Sequence, residues 1–342
     1  MRKLVLTLLL VLALPASARS AESVAIFYYP WFGAPSPDGS YEHWTENHHS
    51  PPFDLGTAFY PMRGPYSSSS PAVLDRQMAE IAAAGVDQVV SSWWGWGSPE
   101  DLRLPAVIAA ANAHGLEVAV HLEPYPGRSL QSLELDVEHL KALGIYEFYV
   151  YEPQDLPASD WKTLTSTESD VRFYAQTAEP GFASAGGFAG LYTYDVLVYG
   201  GRTFARICGE AHALHLLCAP SVGPGFDAFR ATGDMRVKPR RRGATYDAMW
   251  RAALAAQADF VTITSYNEWN EGTQIEPAST SPRPGYATYA GAYGIEGSGA
   301  AYAYLARTAY WTQVAATAQP ARMAPSRATA TLPARWPRLD GP

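Results

Sequence analysis

Short β-branched and aromatic stretches alternate with amphipathic ones along this chain, and that alternation restricts the fold more than any other feature. The stretches Ser23–Phe32, Gln88–Trp94, Glu117–Tyr125, Glu147–Glu152, Val171–Ala178, Gly190–Asp195, His215–Val222 and a last one from Phe260 read as eight strands. Between them, Ser70 and Pro71 open a helix in which Leu74, Met78 and Ile81 recur at helical spacing and Gly85 ends the run. Further helices are predicted over Pro99–His114, Ser129–Leu143, Ser159–Leu164, Arg202–Leu214 and Thr245–Ala258. Parallel strands need right-handed crossovers, and eight of them close with side chains filling the interior. The expectation is a single-domain α/β chain, a (β/α)8 barrel. No GxGxxG or Walker loop follows the first strand, which sets an open dinucleotide-binding sheet further back.

The termini read differently from the middle. Arg2 and Lys3 precede the apolar run Leu4–Leu14, too short to span a bilayer, and Ala16, Ser17 and Ala18 offer a cleavage site. Residues 1–18 are expected to be a signal peptide and 19–317 the folded domain, in a periplasmic or secreted protein with no membrane attachment after cleavage. No Cys lies beside the cleavage site to carry a lipid. After a helical stretch at Gly299–Ala316, residues 318–342 are rich in Pro, Ala and Arg without periodicity and are expected to be disordered. The only cysteines, Cys208 and Cys218, fit either a disulfide or two small buried apolar side chains. A net charge of -8 argues against a nucleic-acid partner. The 10 Trp and 21 Tyr suit stacking on sugar faces, although a large barrel also buries many aromatics.

A barrel of this kind keeps its active site at the carboxyl ends of its strands. Tyr29 and Trp31, Trp93 and Trp94, His121, Glu123 and Tyr125, Glu152, and Tyr192 and Tyr194 stand there. The last strand runs into Asn267, Glu268, Trp269, Asn270 and Glu271. Charged groups avoid apolar walls unless paired or used, so two carboxylates three residues apart point to acid and base work on a sugar. Trp269, between them, is expected to contact that sugar. Period-2 alternation puts His121 with Glu123, and Tyr192 with Tyr194, on common faces, and lets only one of Trp93 and Trp94 face the interior. The loops Gly33–Ser69 and Pro277–Gly297 are long enough to wall a cleft. Other residues have duller readings. Glu123 and Glu152 each precede a proline and could simply accept loop amides, His48 and His49 lack a third metal ligand at sensible spacing, and Arg240–Arg242 reads as a solvated basic patch. No metal or cofactor is implied.

The stretch Ile263–Pro277, read ITSYNEWNEGTQIEP, resembles the catalytic motif of glycoside hydrolase family 99, the endo-acting α-mannosidases and α-mannanases. Shorter pieces agree in order: Tyr28–Phe32, Tyr41–Trp44, Gly64–Ser69, Ser92–Gly95, His121–Tyr125 and Pro220–Gly225. The likeness runs from Ser23 to about Thr317. It departs from the family at Asn270, where His is common, and at Arg236–Arg242. The resemblance implies a (β/α)8 barrel without metal and retention of anomeric configuration. It makes Glu268 the base that deprotonates the sugar's own 2-hydroxyl to form a 1,2-anhydro sugar. Glu271 becomes the acid for the leaving oxygen and then the base for water. Other retaining glycosidases instead place two carboxyls about 5–5.5 Å apart and form a covalent intermediate. Matching positions imply that Glu123 binds near the reacting sugar, that Trp94 lines the neighbouring subsite, and that Tyr29 with Tyr192 or Tyr194 orients the substrate. The implied partner is α-mannan or a mannose-containing oligosaccharide, met by a monomer. The residues alone stop at a glycosidase with a carboxylate pair, which leaves an α-glucan-cleaving barrel and a non-catalytic glycan-binding barrel as alternatives.

Overall fold

Five apolar or aromatic residues without a break, Val24–Tyr28, form β1, and all five are buried, as a strand covered on both faces requires. A computed structural model describes residues 24–318. The expected signal peptide and the expected tail beyond residue 318 lie outside the described residues. The other strands of the main sheet are β2 Gln88–Trp93, β3 Glu117–Leu122, β4 Glu147–Val150, β5 Arg172–Gln176, β6 Gly190–Tyr192, β7 Leu217–Ala219 and β8 Ser221–Val222. A two-stranded antiparallel hairpin, β9 Phe226–Asp227 with β10 Val237–Lys238, stands apart, and β11 Val261–Ile263 returns to the main sheet. The sheet runs β7-β6-β5-β4-β3-β2-β1-β11-β8, every neighbour parallel.

The segments β7 and β8 are one strand interrupted at Pro220. Proline has no N–H to give a ladder, so the strand pairs with β6 before it and with β11 after it. The Pro220 carbonyl still accepts from Thr262 N at 3.3 Å. The sheet therefore runs full circle, and the fold is the expected (β/α)8 barrel.

The helices are α1 Pro35–Asp38, α2 Pro71–Ala83, α3 Pro99–Ala113, α4 Leu130–Ala142, α5 Ala158–Thr167, α6 Pro180–Ala185, α7 Gly201–Ala213, α8 Phe229–Thr232, α9 Ala244–Ala255 and α10 Ala303–Ala318. Pro71 stands at the start of α2 as predicted, but Ser70 makes no side-chain cap bond. At its other end, Gly85 takes φ +73° where a Cβ would meet Thr312 Oγ1 at 2.5 Å, so glycine both ends α2 and lets α10 close over it. Short α6 escaped the sequence reading.

Aromatic side chains fill the barrel. Phe27 packs on His121 (ring centroids 4.7 Å), Tyr192 (5.4 Å) and Tyr149 (5.8 Å), and Tyr149 on Tyr174 (4.9 Å). Cys208 of α7 and Cys218 of β7 are joined, with Cα atoms 5.2 Å apart, which settles the open reading in favour of the bridge.

Candidate active site

Beyond β11 the chain folds back on itself in a knot of short hydrogen bonds. Ser265 N donates to Thr273 O (3.1 Å), Ile275 N to Ser265 O (2.9 Å), and Ser265 Oγ accepts from Glu268 N (2.8 Å). Gly272 has φ +64°, and a Cβ there would lie 2.8 Å from Asp227 O. Only glycine lets the hairpin backbone come this close, where Asp227 N donates to Glu271 O (2.8 Å). The turn sends Glu268 and Glu271 to one side and Trp269 to the other.

Under the turn lies a buried ionic cluster. Glu276 Oε1 accepts from Arg63 Nη1 and Gln77 Nε2, both at 2.9 Å, and its Oε2 accepts from Tyr66 OH (2.7 Å) and Trp269 Nε1 (2.8 Å). Arg63 also pairs with Glu80, which accepts from Tyr266 OH (2.7 Å). A buried anion with every lone-pair direction engaged is rigid, because moving any donor leaves charge unpaired. The cluster extends to the cleft through Asn267, which donates to Tyr66 OH (3.3 Å) and clamps the Tyr29 backbone, accepting its N–H (2.7 Å) and donating to its carbonyl (2.9 Å).

Above the barrel, a cleft of about 340 Å³ is lined by Tyr29, Trp31, Trp94, His121, Glu123, Tyr151, Tyr194, Glu268, Asn270 and Glu271, with Phe226, Ala228, Thr232 and Asp234 as one wall. Most of the predicted residues therefore meet. Trp93 and Trp94 split as alternation required: Trp93 is fully buried and donates to Asp101 (2.8 Å), while Trp94 faces the cleft. Glu123 Oε1 contacts Ser92 Oγ and His121 Nδ1, each at 2.8 Å. The Tyr29 and Tyr194 hydroxyls share a short hydrogen bond, and Tyr194 reaches Glu271 Oε2 at 3.4 Å.

Several expectations need correction. Trp269 is fully buried and turned to Glu276, so it does not face the cleft. Tyr192 is also fully buried. It acts one layer down, its hydroxyl 2.8 Å from His121 Nε2. Glu152 is exposed and outside the cleft: it lies past the end of β4, where the backbone turns at φ +46°, and its neighbour Tyr151 takes the inward position. Arg240 is no solvated charge. Its guanidinium donates to Gly272 O (2.9 Å) and Gln274 O (2.7 Å) and lies over the rings of Phe59, Tyr289 and Tyr304, pinning the far end of the acid-bearing turn. His49 pairs with Asp54 at 2.9 Å. The sequence reading missed Tyr151, although its two-residue offset from inward-facing Tyr149 was a signal. It also missed the wall Phe226–Asp234, which carries no local mark.

Burial shapes the charge of the acids. Desolvation, followed by the charge of Asp195, pushes the Glu271 carboxyl up to about 8, against a lowering contact from Tyr194. Desolvation and the Glu271 carboxylate likewise raise Glu268, while the N–H groups of Glu271 (3.2 Å) and Asn270 (3.0 Å) on its Oε1 oppose the rise. Two such neighbours titrate as a coupled pair, each proton loss bearing on the other. The two backbone N–H groups favour the ionised form of Glu268, and the Tyr194 hydroxyl favours that of Glu271, but burial outweighs both and holds each carboxyl above its ordinary range.

A family model, Glycosyl hydrolase family 99, matches residues 20–316. The chain belongs to this family. Among similar proteins, a glycoprotein endo-alpha-1,2-mannosidase-like protein of Danio rerio is 33% identical over 316 residues, 75% of this chain and 71% of that one. Glycoprotein endo-alpha-1,2-mannosidase of Xenopus laevis is 32% identical over 312 residues, covering 74% and 69%. The solved GH99 endo-alpha-mannosidase from Bacteroides thetaiotaomicron superposes with TM-score 0.78 at 27% identity, over 87% of this chain and 99% of that one. As a family 99 member the chain is a glycoside hydrolase, and the acid-bearing turn lies within the matched residues.

Proposed function

We propose that this enzyme cuts internal α-mannosidic bonds, of the α-1,2 type, with retention through a 1,2-anhydro sugar. The observation that carries the reading is the Glu268–Glu271 pair in the cleft: Glu268 Oε1 is held by two N–H groups, while buried Oε2 has no partner in the protein. In the first step Glu268 takes the proton of the sugar's 2-hydroxyl, whose oxygen bonds to C1. The bond from C1 to the leaving oxygen breaks, and that oxygen receives the Glu271 proton. In the second step Glu271, now ionised, takes a proton from water as the water oxygen attacks C1. The C1–O2 bond of the three-membered ring opens, and Glu268 returns its proton to O2. Two displacements at C1 restore the starting configuration. Mannose suits this route because its axial 2-hydroxyl is trans to an α-linked leaving group. Glu123, with Oε1 occupied by Ser92 and His121, offers Oε2 to a hydroxyl of the reacting sugar; Tyr29 and Tyr194 orient it and Trp94 lines the neighbouring subsite.

The names of the relatives support the α-1,2 assignment. The basic and apolar N-terminal segment supports export as the setting. Product analysis on α-1,2-, α-1,3- and α-1,6-linked manno-oligosaccharides and α-gluco-oligosaccharides tests the reading. New reducing ends from internal α-1,2 bonds are expected. Cleavage of the α-glucans alone would move the substrate, and binding of α-mannosides without turnover would make the protein a glycan-binding barrel.

A further inference from the structure

One corner of the cleft holds an unpartnered donor and an unpartnered acceptor on residues that share a neighbour. Asn270 Nδ2 donates to His43 O (3.0 Å) and Gly56 O (3.3 Å). Both partners are carbonyls, so the amide cannot be turned the other way. Its buried Oδ1 is left with no protein donor. Trp31 stacks on the His43 ring, centroids 4.6 Å apart and planes within 15°, and its buried Nε1 has no acceptor. Both side chains line the cleft, and Asn270 stands between the two acids in sequence. His43 therefore fixes both: its ring backs the indole and its carbonyl anchors the amide.

Buried polar atoms nearly always find partners, and leaving one unmade costs about 1–3 kcal/mol. Two such atoms in the lining of one cleft, of opposite hydrogen-bonding sense and each on a side chain held by His43, describe a ligand that both accepts and donates. Sugar hydroxyls do both. We propose that Trp31 and Asn270 form a specificity clamp for hydroxyls of the sugar next to the acids, with Trp31 Nε1 donating to one sugar oxygen and Asn270 Oδ1 accepting a hydroxyl proton. The clamp rests on the reading that the cleft holds a mannoside. It makes recognition depend on particular hydroxyls rather than on ring stacking alone.

The test crosses two variants with a set of monodeoxy α-1,2-manno-oligosaccharides, each read by kcat/KM and by calorimetric Kd. Trp31→Phe removes the N–H but keeps a ring against His43; Asn270→Ala removes the acceptor. On the parent glycan each variant is expected to bind about 5- to 10-fold more weakly, with the loss in KM. Against the one analogue that lacks the hydroxyl it serves, each variant is expected to bind no worse than the wild type. Equal losses on every analogue would make the two residues merely structural, and unchanged parent affinity in Trp31→Phe would assign that N–H to water; either result overturns the clamp. A wild type that binds the glycan without cleaving it would sink the hydrolase reading, and the Kd cycle would still decide the clamp. Absence of both binding and cleavage would overturn the two together.

Discussion

Replacing Glu271 by Gln should make the protein more stable in alkaline solution while disabling it. Glu271 is held near 8 in the folded protein against an ordinary 4.5. A carboxyl with a raised folded pKa binds its proton more tightly in the native state, so its contribution to stability is full below pH 4.5 and is lost as pH rises toward 8. Between pH 5 and pH 8 this one group costs the wild type on the order of 3 kcal/mol, an upper figure because Glu271 titrates together with Glu268. Gln has no proton to lose. Its altered contact with Tyr194 is the same at every pH; Glu268, relieved of the Glu271 charge, is raised less in the variant, which acts in the same direction, and the remaining titrating groups are common to both proteins. The difference in Tm between variant and wild type should therefore widen in favour of Glu271→Gln, by up to about 5 °C from pH 5 to pH 8. Thermal unfolding by circular dichroism at pH 5, 6.5 and 8 measures it. Curves that stay parallel would mean Glu271 ionises without penalty, and the electrostatic assignment of the acid would be wrong.

Two further expectations concern stability. Glu276→Gln turns one acceptor oxygen into a donor facing two existing donors and removes the anion beside Arg63, which keeps Glu80; a loss of about 3 kcal/mol is expected from urea unfolding, and a loss under about 1 kcal/mol would show that the cluster is not rigid. Reducing the Cys208–Cys218 bridge, which closes a loop of sequence separation 10, should cost about 2–3 kcal/mol and leave KM unchanged, since neither cysteine lines the cleft; an altered KM would contradict this.

The barrel was legible because its strands, covered on both faces, read as short apolar runs between helix-spaced ones. Strand ends were less so. The extended reading carried β1 on to Phe32, where the ladder stops at Tyr28 and Pro30 and Trp31 turn, because the aromatic run continues past the point where the backbone leaves the sheet. The acids were legible because carboxylates are rare at the end of a buried run. Trp269 misled because its place between them in sequence says nothing of how the turn divides side chains between cleft and core. Arg240 misled for a related reason: three adjacent arginines look solvated, and the rings that cover this one, Phe59, Tyr289 and Tyr304, come from distant segments. Glu152 was weighed by its Glu-Pro context when the parity of Tyr149 and Tyr151 already assigned the inward face.

The most direct measurement is release of reducing ends from an α-1,2-linked manno-oligosaccharide by the wild type, Glu268→Gln and Glu271→Gln, each shown to be folded. The wild type should cut internal bonds, and each substitution should lower kcat by at least about 10²-fold, in keeping with the loss of a positioned acid or base. Turnover that survives in either variant would show that these two carboxyls do not carry the reaction.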